Sequence, residues 1–379
     1  MKNSNALILS GGGARAAYQV GVLSTMGKIV PHHTALPFSI VCGTSAGALN
    51  ATTLACHAHN FTQASSRLAY VWRNLTPDQV YSLDRWPMMS SLTKALWSLL
   101  HSSNNPAALA LMDNSPLNNL LNHHLNFSNI EKAIDNQHIS ALAITAMSYT
   151  TGKSTTFFQA ADHLEGWQEP RGQGIRQNIS VEHLLASSAI PMLFPAQEVG
   201  KHYYGDGAIR QKSAISPAIQ LGAKKLFIIG VSSNRSPQKW SNDEQDPAPS
   251  VPSLTQIISQ LLNSAFVDNL EDDINQLEII NALISELPEE KRAKHIQLPM
   301  NTLIISPSEA LDEIANHYLN TLPKKIRALL KAAGGSSNSK ISSAASYLLF
   351  TPEYCRALIE LGYKDAMWEK DKILEFFES

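Results

Sequence analysis

No aspartate or glutamate occurs in this chain before Asp78, and the early charged side chains (Lys2, Arg15, Lys28, Arg67 and Arg73) are all positive. Cysteine is equally sparse. Cys42, Cys56 and Cys355 are too few and too scattered for a disulfide framework or a metal site. Charged residues make up 16% of the chain, below the usual quarter, and the net charge of −2 gives no case for nucleic-acid binding. No run of about 18 apolar residues is present, which excludes a spanning helix of ordinary length. Leu7-Ile8-Leu9 is too short for the apolar core of a secretory leader, so a cytoplasmic setting is expected, with export by a route lacking a cleaved leader left open. What remains is a chain of 379 residues, 44% apolar, long enough to bury a large core and to hide surface or offer some of it to lipid. The early positive charge fits attraction to anionic headgroups as well as a mildly basic surface with no partner.

The missing acids bear first on the turn Ser10-Gly11-Gly12-Gly13-Ala14-Arg15, between the apolar run Ala6–Leu9 and a helical pattern over Ala14–Lys28. A dinucleotide-binding turn needs an acidic residue about 20 positions on to hold the ribose, and a third glycine that this turn lacks. A phosphate loop needs Gly-Lys-Ser/Thr, which does not follow. Consecutive glycines let bare backbone N–H groups converge on an anion, so the anion served here is read as a reaction intermediate.

A second strand-to-helix turn carries the nucleophile candidate. Gly43-Thr44-Ser45-Ala46-Gly47 follows Phe38–Cys42 and has the form Gly-x-Ser-x-Gly, which sets a serine on a sharp turn. Glycine is needed where a side chain would strike neighbouring backbone. Ser45 would also cap a helix over Ala46–Ala58, whose N-terminus favours developing negative charge. Taken alone, the pentapeptide is also compatible with a purely structural turn. Far downstream, Tyr203-Tyr204-Gly205-Asp206-Gly207-Ala208 sets one aspartate between glycines, a pattern that in isolation reads as a turn.

Together, in this order and spacing, the three motifs resemble the bacterial patatin-like phospholipase family over roughly residues 5 to 235. Ala186-Ser187-Ser188-Ala189-Ile190-Pro191, Ile215-Ser216-Pro217 and Leu221-Gly222-Ala223 are similar to the family as well. Ser346–Phe350 and Leu361-Gly362-Tyr363 resemble the tails of some members. The resemblance implies a Ser45–Asp206 dyad in place of a triad, with Gly11, Gly12, Gly13 and Arg15 serving the oxyanion and Gly43 and Gly47 shaping the elbow. An ordinary aspartate, with a pKa of about 3.9, is a poor base toward a hydroxyl, so burial must raise it. His32, His33, His57, His59 and His202 are read as surface or loop residues rather than as a third catalytic member. No metal or organic cofactor is expected. The implied activity is lipid acyl hydrolysis of the phospholipase A or lysophospholipase type. A thioesterase or acyltransferase using the same serine, and a non-catalytic lipid-binding protein, stand as alternatives. Lipid is the expected partner, with peripheral membrane contact; nucleic acid is not, and oligomeric state is not readable.

The alternation of short apolar runs with helical patterns predicts an α/β fold: a mainly parallel sheet between helical layers. Interior strands are expected at Ala6–Leu9, Phe38–Cys42, Ala141–Met147 and Leu226–Val231. Peripheral ones are expected at Thr155–Gln159 and Val199–Tyr204, and a late one at Thr302–Ser306. A hydrolase domain is expected over 1–307, with an apolar helical insertion at about 75–125 and a long helix at about 252–285. A helical extension follows over 308–379. Within the insertion Trp86, Met88, Met89, Leu92, Leu96, Trp97, Leu99 and Leu100 mark either a lipid-facing cap or ordinary helix packing. The stripe Leu254, Ile257, Ile258, Leu261, Leu262, Phe266, Leu270, Ile274, Leu277 likewise fits packing on the body or contact with a membrane or partner. Ser236–Pro252 reads as an exposed loop, Gly334–Ser339 as a break, and Thr351-Pro352 as the start of the last helix.

Overall fold

The computed structural model of the chain describes residues 4–30, 35–83, 110–232, 254–286, 300–332 and 338–378. The apolar residues Trp86 to Leu100, His32, His33, Lys2, the loop 236–252 and most of the Gly334–Ser339 break lie outside the described residues. Ten strands form one sheet: β1 (Asn5–Leu9), β2 (Ile40–Thr44), β3 (Ala141–Ser148), β4 (Ser154–Ala160), β5 (Trp167–Gln168), β6 (Gly172–Arg176), β7 (Gln197–Val199), β8 (His202–Asp206), β9 (Lys225–Ile229) and β10 (Asn301–Ile305). Their order is β10-β9-β1-β2-β3-β4-β6-β5, with the hairpin β7–β8 attached to β3 through β8.

From β10 to β3 every pairing is parallel, as continuous apolar runs buried on both faces require. Alternation along each strand divides the core in two. Leu7, Leu9, Val41, Phe227 and Ile229 face the layer that holds the helices Ala17–Ile29, Ala46–Cys56 and Pro352–Trp368. Ala6, Ile8, Ile40, Cys42, Leu226 and Ile228 face the layer that holds Ser216–Gln220 and Asn269–Glu286. The three cysteines are free and buried, Cys42 on the strand that leads to the elbow.

Beyond β3 the sheet departs from the expected pattern. β3 pairs antiparallel with both β4 and β8, and β5 pairs antiparallel with β6. The stretch Val199–Tyr204, read as one strand, is a hairpin: β7 and β8 turn at Gly200, whose φ of 64° suits glycine. β5 and β6 had no counterpart in the sequence reading. Their segments hold few apolar residues, and Pro170 interrupts them. The late strand pairs parallel with β9 at the sheet edge, which ties residues 301–305 to the same sheet.

The apolar stripe after residue 254 is helical through to Glu286, with a π-helical turn at Ser264–Asp268. Leu262, Phe266, Leu270, Ile274 and Leu277 are buried against the body, whereas Ile257 and Leu261 are exposed. Gly21 and Gly362 bring the helices Ala17–Ile29 and Pro352–Trp368 into backbone contact. A Cβ on Gly21 would lie 2.1 Å from the Ile359 carbonyl oxygen, and one on Gly362 would lie 2.2 Å from that of Tyr18. The Tyr18 hydroxyl donates to Asp365 Oδ2 at 2.9 Å across the same crossing. Among the described residues no helix is long and apolar enough to cross a membrane.

Candidate active site

Ser45 directly follows β2 and caps the helix Ala46–Cys56 with φ 54° and ψ −129°, a conformation that costs a non-glycine residue on the order of 1–3 kcal/mol. Gly43 and Gly47 make that turn geometrically possible. A Cβ on Gly43 would sit 2.5 Å from the Gly47 carbonyl oxygen, and one on Gly47 would sit 2.3 Å from that of Leu9. The backbone is also held from outside. Ser45 N–H donates to Ser187 Oγ at 2.8 Å, and Ser187 Oγ donates to the Thr145 carbonyl at 2.6 Å. Thr44 Oγ1 donates to Gln211 Oε1 at 2.7 Å, and Gln211 Nε2 donates to Thr145 Oγ1 at 3.3 Å.

Asp206 reaches Ser45 from the end of β8. Pairing of β8 with β3 puts Asp206 opposite Ala146, one residue beyond the stretch of β3 that pairs with β2. Gly207 then passes so close to β3 that a Cβ would meet the Thr145 carbonyl oxygen at 2.2 Å. The result is a hydrogen bond of 2.6 Å from Ser45 Oγ to Asp206 Oδ2, between residues 161 positions apart. The other carboxylate oxygen accepts from Ala208 N–H at 3.0 Å, and Asp206 N–H donates to the Ala189 carbonyl at 2.8 Å. Asp206 is fully buried, and loss of water pushes its pKa up to about 7 against the opposing pull of the two hydrogen bonds. A carboxylate tuned to this range titrates where a general base works best.

Of the histidines considered at sequence level, His57 sits at the far end of the helix Ala46–Cys56, its Nδ1 against the Thr53 carbonyl at 3.0 Å. His202 is exposed at the opposite end of β8 from Asp206. Neither hydrogen-bonds Ser45 or Asp206.

The glycine turn lies beside the serine: a Cβ on Gly11 would be 3.1 Å from Ser45 Cβ. It is roofed by residues from the C-terminal third of the chain. The Phe266 ring, on the π-helical turn, would be 2.7 Å from that same added Cβ, and a Cβ on Gly13 would meet the Tyr347 carbonyl oxygen at 2.3 Å. Phe266 and Tyr347 stack with ring centroids 5.3 Å apart, and Tyr347 Oη donates to Asn263 Oδ1 at 2.8 Å. Arg15 is buried beneath this roof. Its Nε donates to Ser346 Oγ at 2.8 Å, and its guanidinium carbon lies 4.0 Å from the Tyr347 ring centroid. Sequence reasoning saw Arg15 but not its partners.

An apolar cavity of about 80 Å³ opens from Gly13 and Ser45. Leu49, Leu68, Val71, Trp72, Leu117 and Leu121 supply much of its wall. One buried polar group interrupts it. Asn50 accepts from Trp72 Nε1 at 2.8 Å and donates to Gln19 Oε1 at 2.9 Å, so its amide is fully employed in holding the wall. Among the described residues no group of three or more His, Cys, Asp or Glu side chains is placed to hold a metal ion.

A family model described as patatin-like phospholipase matches residues 7–219, which span β1 to the helix Ser216–Gln220 and include both members of the buried pair. No curated protein sequence matches the chain. Among solved structures, VipD from Legionella pneumophila is similar at 12% identity and a TM-score of 0.41, over 98% of this chain and 67% of its own. Human GIVD cytosolic phospholipase A2, in complex with methyl γ-linolenyl fluorophosphonate, is similar at 11% identity and a TM-score of 0.45. That alignment takes in 100% of this chain, which spans 58% of the human one.

Proposed function

Because the chain belongs to the patatin-like phospholipase family, we propose that it is a serine acyl hydrolase that cleaves lipid esters through Ser45 and Asp206. The observation that carries this reading is the 2.6 Å contact between Ser45 Oγ and Asp206 Oδ2 at the head of an apolar cavity. Asp206 takes the hydroxyl proton as Ser45 Oγ bonds to the ester carbonyl carbon. The resulting oxyanion lies against the backbone N–H groups of the Gly11–Gly13 turn and the N-terminus of the helix Ala46–Cys56. Collapse breaks the ester C–O bond, and the leaving alcohol carries off the proton held by Asp206. Water then attacks the acyl-enzyme, gives its proton to Asp206, and the fatty acid departs as that proton returns to Ser45. The apolar wall accepts the acyl chain. Arg15 adds positive potential near the turn and clamps it to the helix Asn338–Leu348.

Turnover of a panel of phospholipids, lysophospholipids and acyl thioesters tests the proposal. Ser45→Ala is expected to abolish hydrolysis, and Asp206→Asn to lower kcat by at least about 10³-fold, since removing a member of such a unit loses most of its effect. Esters turned over equally well by Ser45→Ala would sink the assignment. A marked preference for thioesters would move the substrate class to acyl thioesters while leaving the nucleophile in place.

A further inference from the structure

The helix Ala46–Cys56 starts at Ser45 and ends at His57, and the cavity runs along it. Ala46, Leu49, Asn50 and Thr53 all line the cavity, and their spacing puts them on one stripe of that helix. Thr53 is eight residues past Ser45, about 12 Å along the axis at 1.5 Å per residue. The opposite wall runs the other way. The helix Phe61–Arg73 returns antiparallel after the loop at 57–60, with Trp72 bonded to Asn50 and Arg67 more than a turn further from the serine.

At Thr53 the lining changes character. Arg67 and His124 join it, and Arg67 Nη2 donates to the His124 carbonyl at 3.4 Å, linking the helices Phe61–Arg73 and Ser115–His124. A second, polar cavity lies directly beyond, sharing Arg67, His124 and Leu125 with the first and lined further by His57, His123 and Asn126. Arg67 is exposed and, among the described residues, has no carboxylate within ion-pair distance; beyond its bond to the His124 carbonyl its guanidinium is open to water. A methylene pushed past this point would displace that water and leave apolar contacts behind, a loss with no compensating burial.

Resting on the reading of Ser45 as the nucleophile, we infer that this channel measures acyl length, with Thr53, Arg67 and His124 as its stop and medium-chain acyl esters as its preferred substrates. About 12 Å accommodates roughly ten carbons of an extended chain, whose zigzag of bonds about 1.5 Å long advances about 1.3 Å per carbon. The same distance keeps the phosphate of a glycerophospholipid away from the polar end. In a glycerophospholipid the phosphate stands only a few bonds from the ester that Ser45 would attack.

The experiment is a series of p-nitrophenyl esters from two to sixteen carbons, kept monomeric, with kcat/KM read as ratios between lengths within each variant. Ratios cancel any loss common to all lengths. Wild type is expected to gain about fourfold per added methylene while burial continues, up to about ten carbons, and then to level or fall. Arg67→Leu, which makes the stop apolar, moves the break to longer chains. Val71→Phe, which fills the channel midway, moves it to shorter ones. A gain that continues unbroken to sixteen carbons, or a break at one length in all three proteins, overturns the proposal. Absence of Ser45-dependent turnover at every length would instead overturn the hydrolase reading, and the length proposal with it.

Discussion

Ser45 occupies a backbone conformation that its own side chain disfavours, and the neighbouring glycines absorb the crowding this creates. Gly47 has backbone rather than flexible side chains in its way, so Gly47→Ala cannot be relieved by a rotamer change. The variant is expected to lose about 3 kcal/mol or more, the upper part of the range for overpacked sites, seen as a fall in Tm together with loss of activity. Wild-type Tm in Gly47→Ala would mean that the turn is looser than described. Gly43, Ser45 and Gly47 stood out in sequence because a sharp turn demands particular residue types, whereas Asp206 alone read as a turn residue and was singled out only by the resemblance of the three motifs taken together. Ser187 and Gln211 did not stand out, because one serine or glutamine looks like another until the chain returns to it. Ser187 contacts a residue 142 positions away, and no local pattern encodes that meeting.

Helices and strands put these residues together, and here the C-terminal third matters as much as the matched segment 7–219. Phe266 and Tyr347 roof the glycine turn, and Arg15 is bonded to Ser346 across 331 positions. Arg15→Lys keeps the charge but gives up the guanidinium contact over the Tyr347 ring and the Nε bond, so it is not a conservative change. It is expected to lower kcat about tenfold with little change in KM, whereas a purely local charge effect would leave kcat as it was. The Gly21–Gly362 crossing allows a similar test away from the site. Gly362→Ala pushes two helices apart and is expected to cost about 1–3 kcal/mol in stability while leaving the chain-length profile intact. The central strands were readable because continuous burial leaves a continuous apolar run. The β7–β8 hairpin and the β5–β6 pair were not, because their polar, half-exposed residues carry no such run.

For the molecule as a whole, the proposed role of Asp206 ties activity to stability. An unfolded aspartate titrates near 3.8, whereas burial lifts the native one to about 7. Between those values the native chain keeps a proton that the unfolded chain has released. Its contribution to stability is therefore complete below about pH 4, falls as pH rises toward 7 and is lost above it, by on the order of 4 kcal/mol. Asp273, also lifted by burial, adds a slope of the same sign, so the comparison must be between variants. Asp206→Asn mimics the protonated acid. It is expected to match wild type near pH 4 and to exceed it in Tm at pH 8, with activity lost throughout. Equal stability of the two proteins at both pH values would mean that Asp206 is ordinarily ionised. A buried carboxylate that weakens the fold is the kind of strain expected of the base proposed here.

The most direct measurement is the rate and site of labelling by a fluorophosphonate, followed by mass spectrometry across pH. One adduct on the peptide holding Ser45 is expected, forming faster as pH rises through about 7, and slowly at every pH in Asp206→Asn. An adduct on another residue, or a pH profile that Asp206→Asn leaves unchanged, would contradict the account.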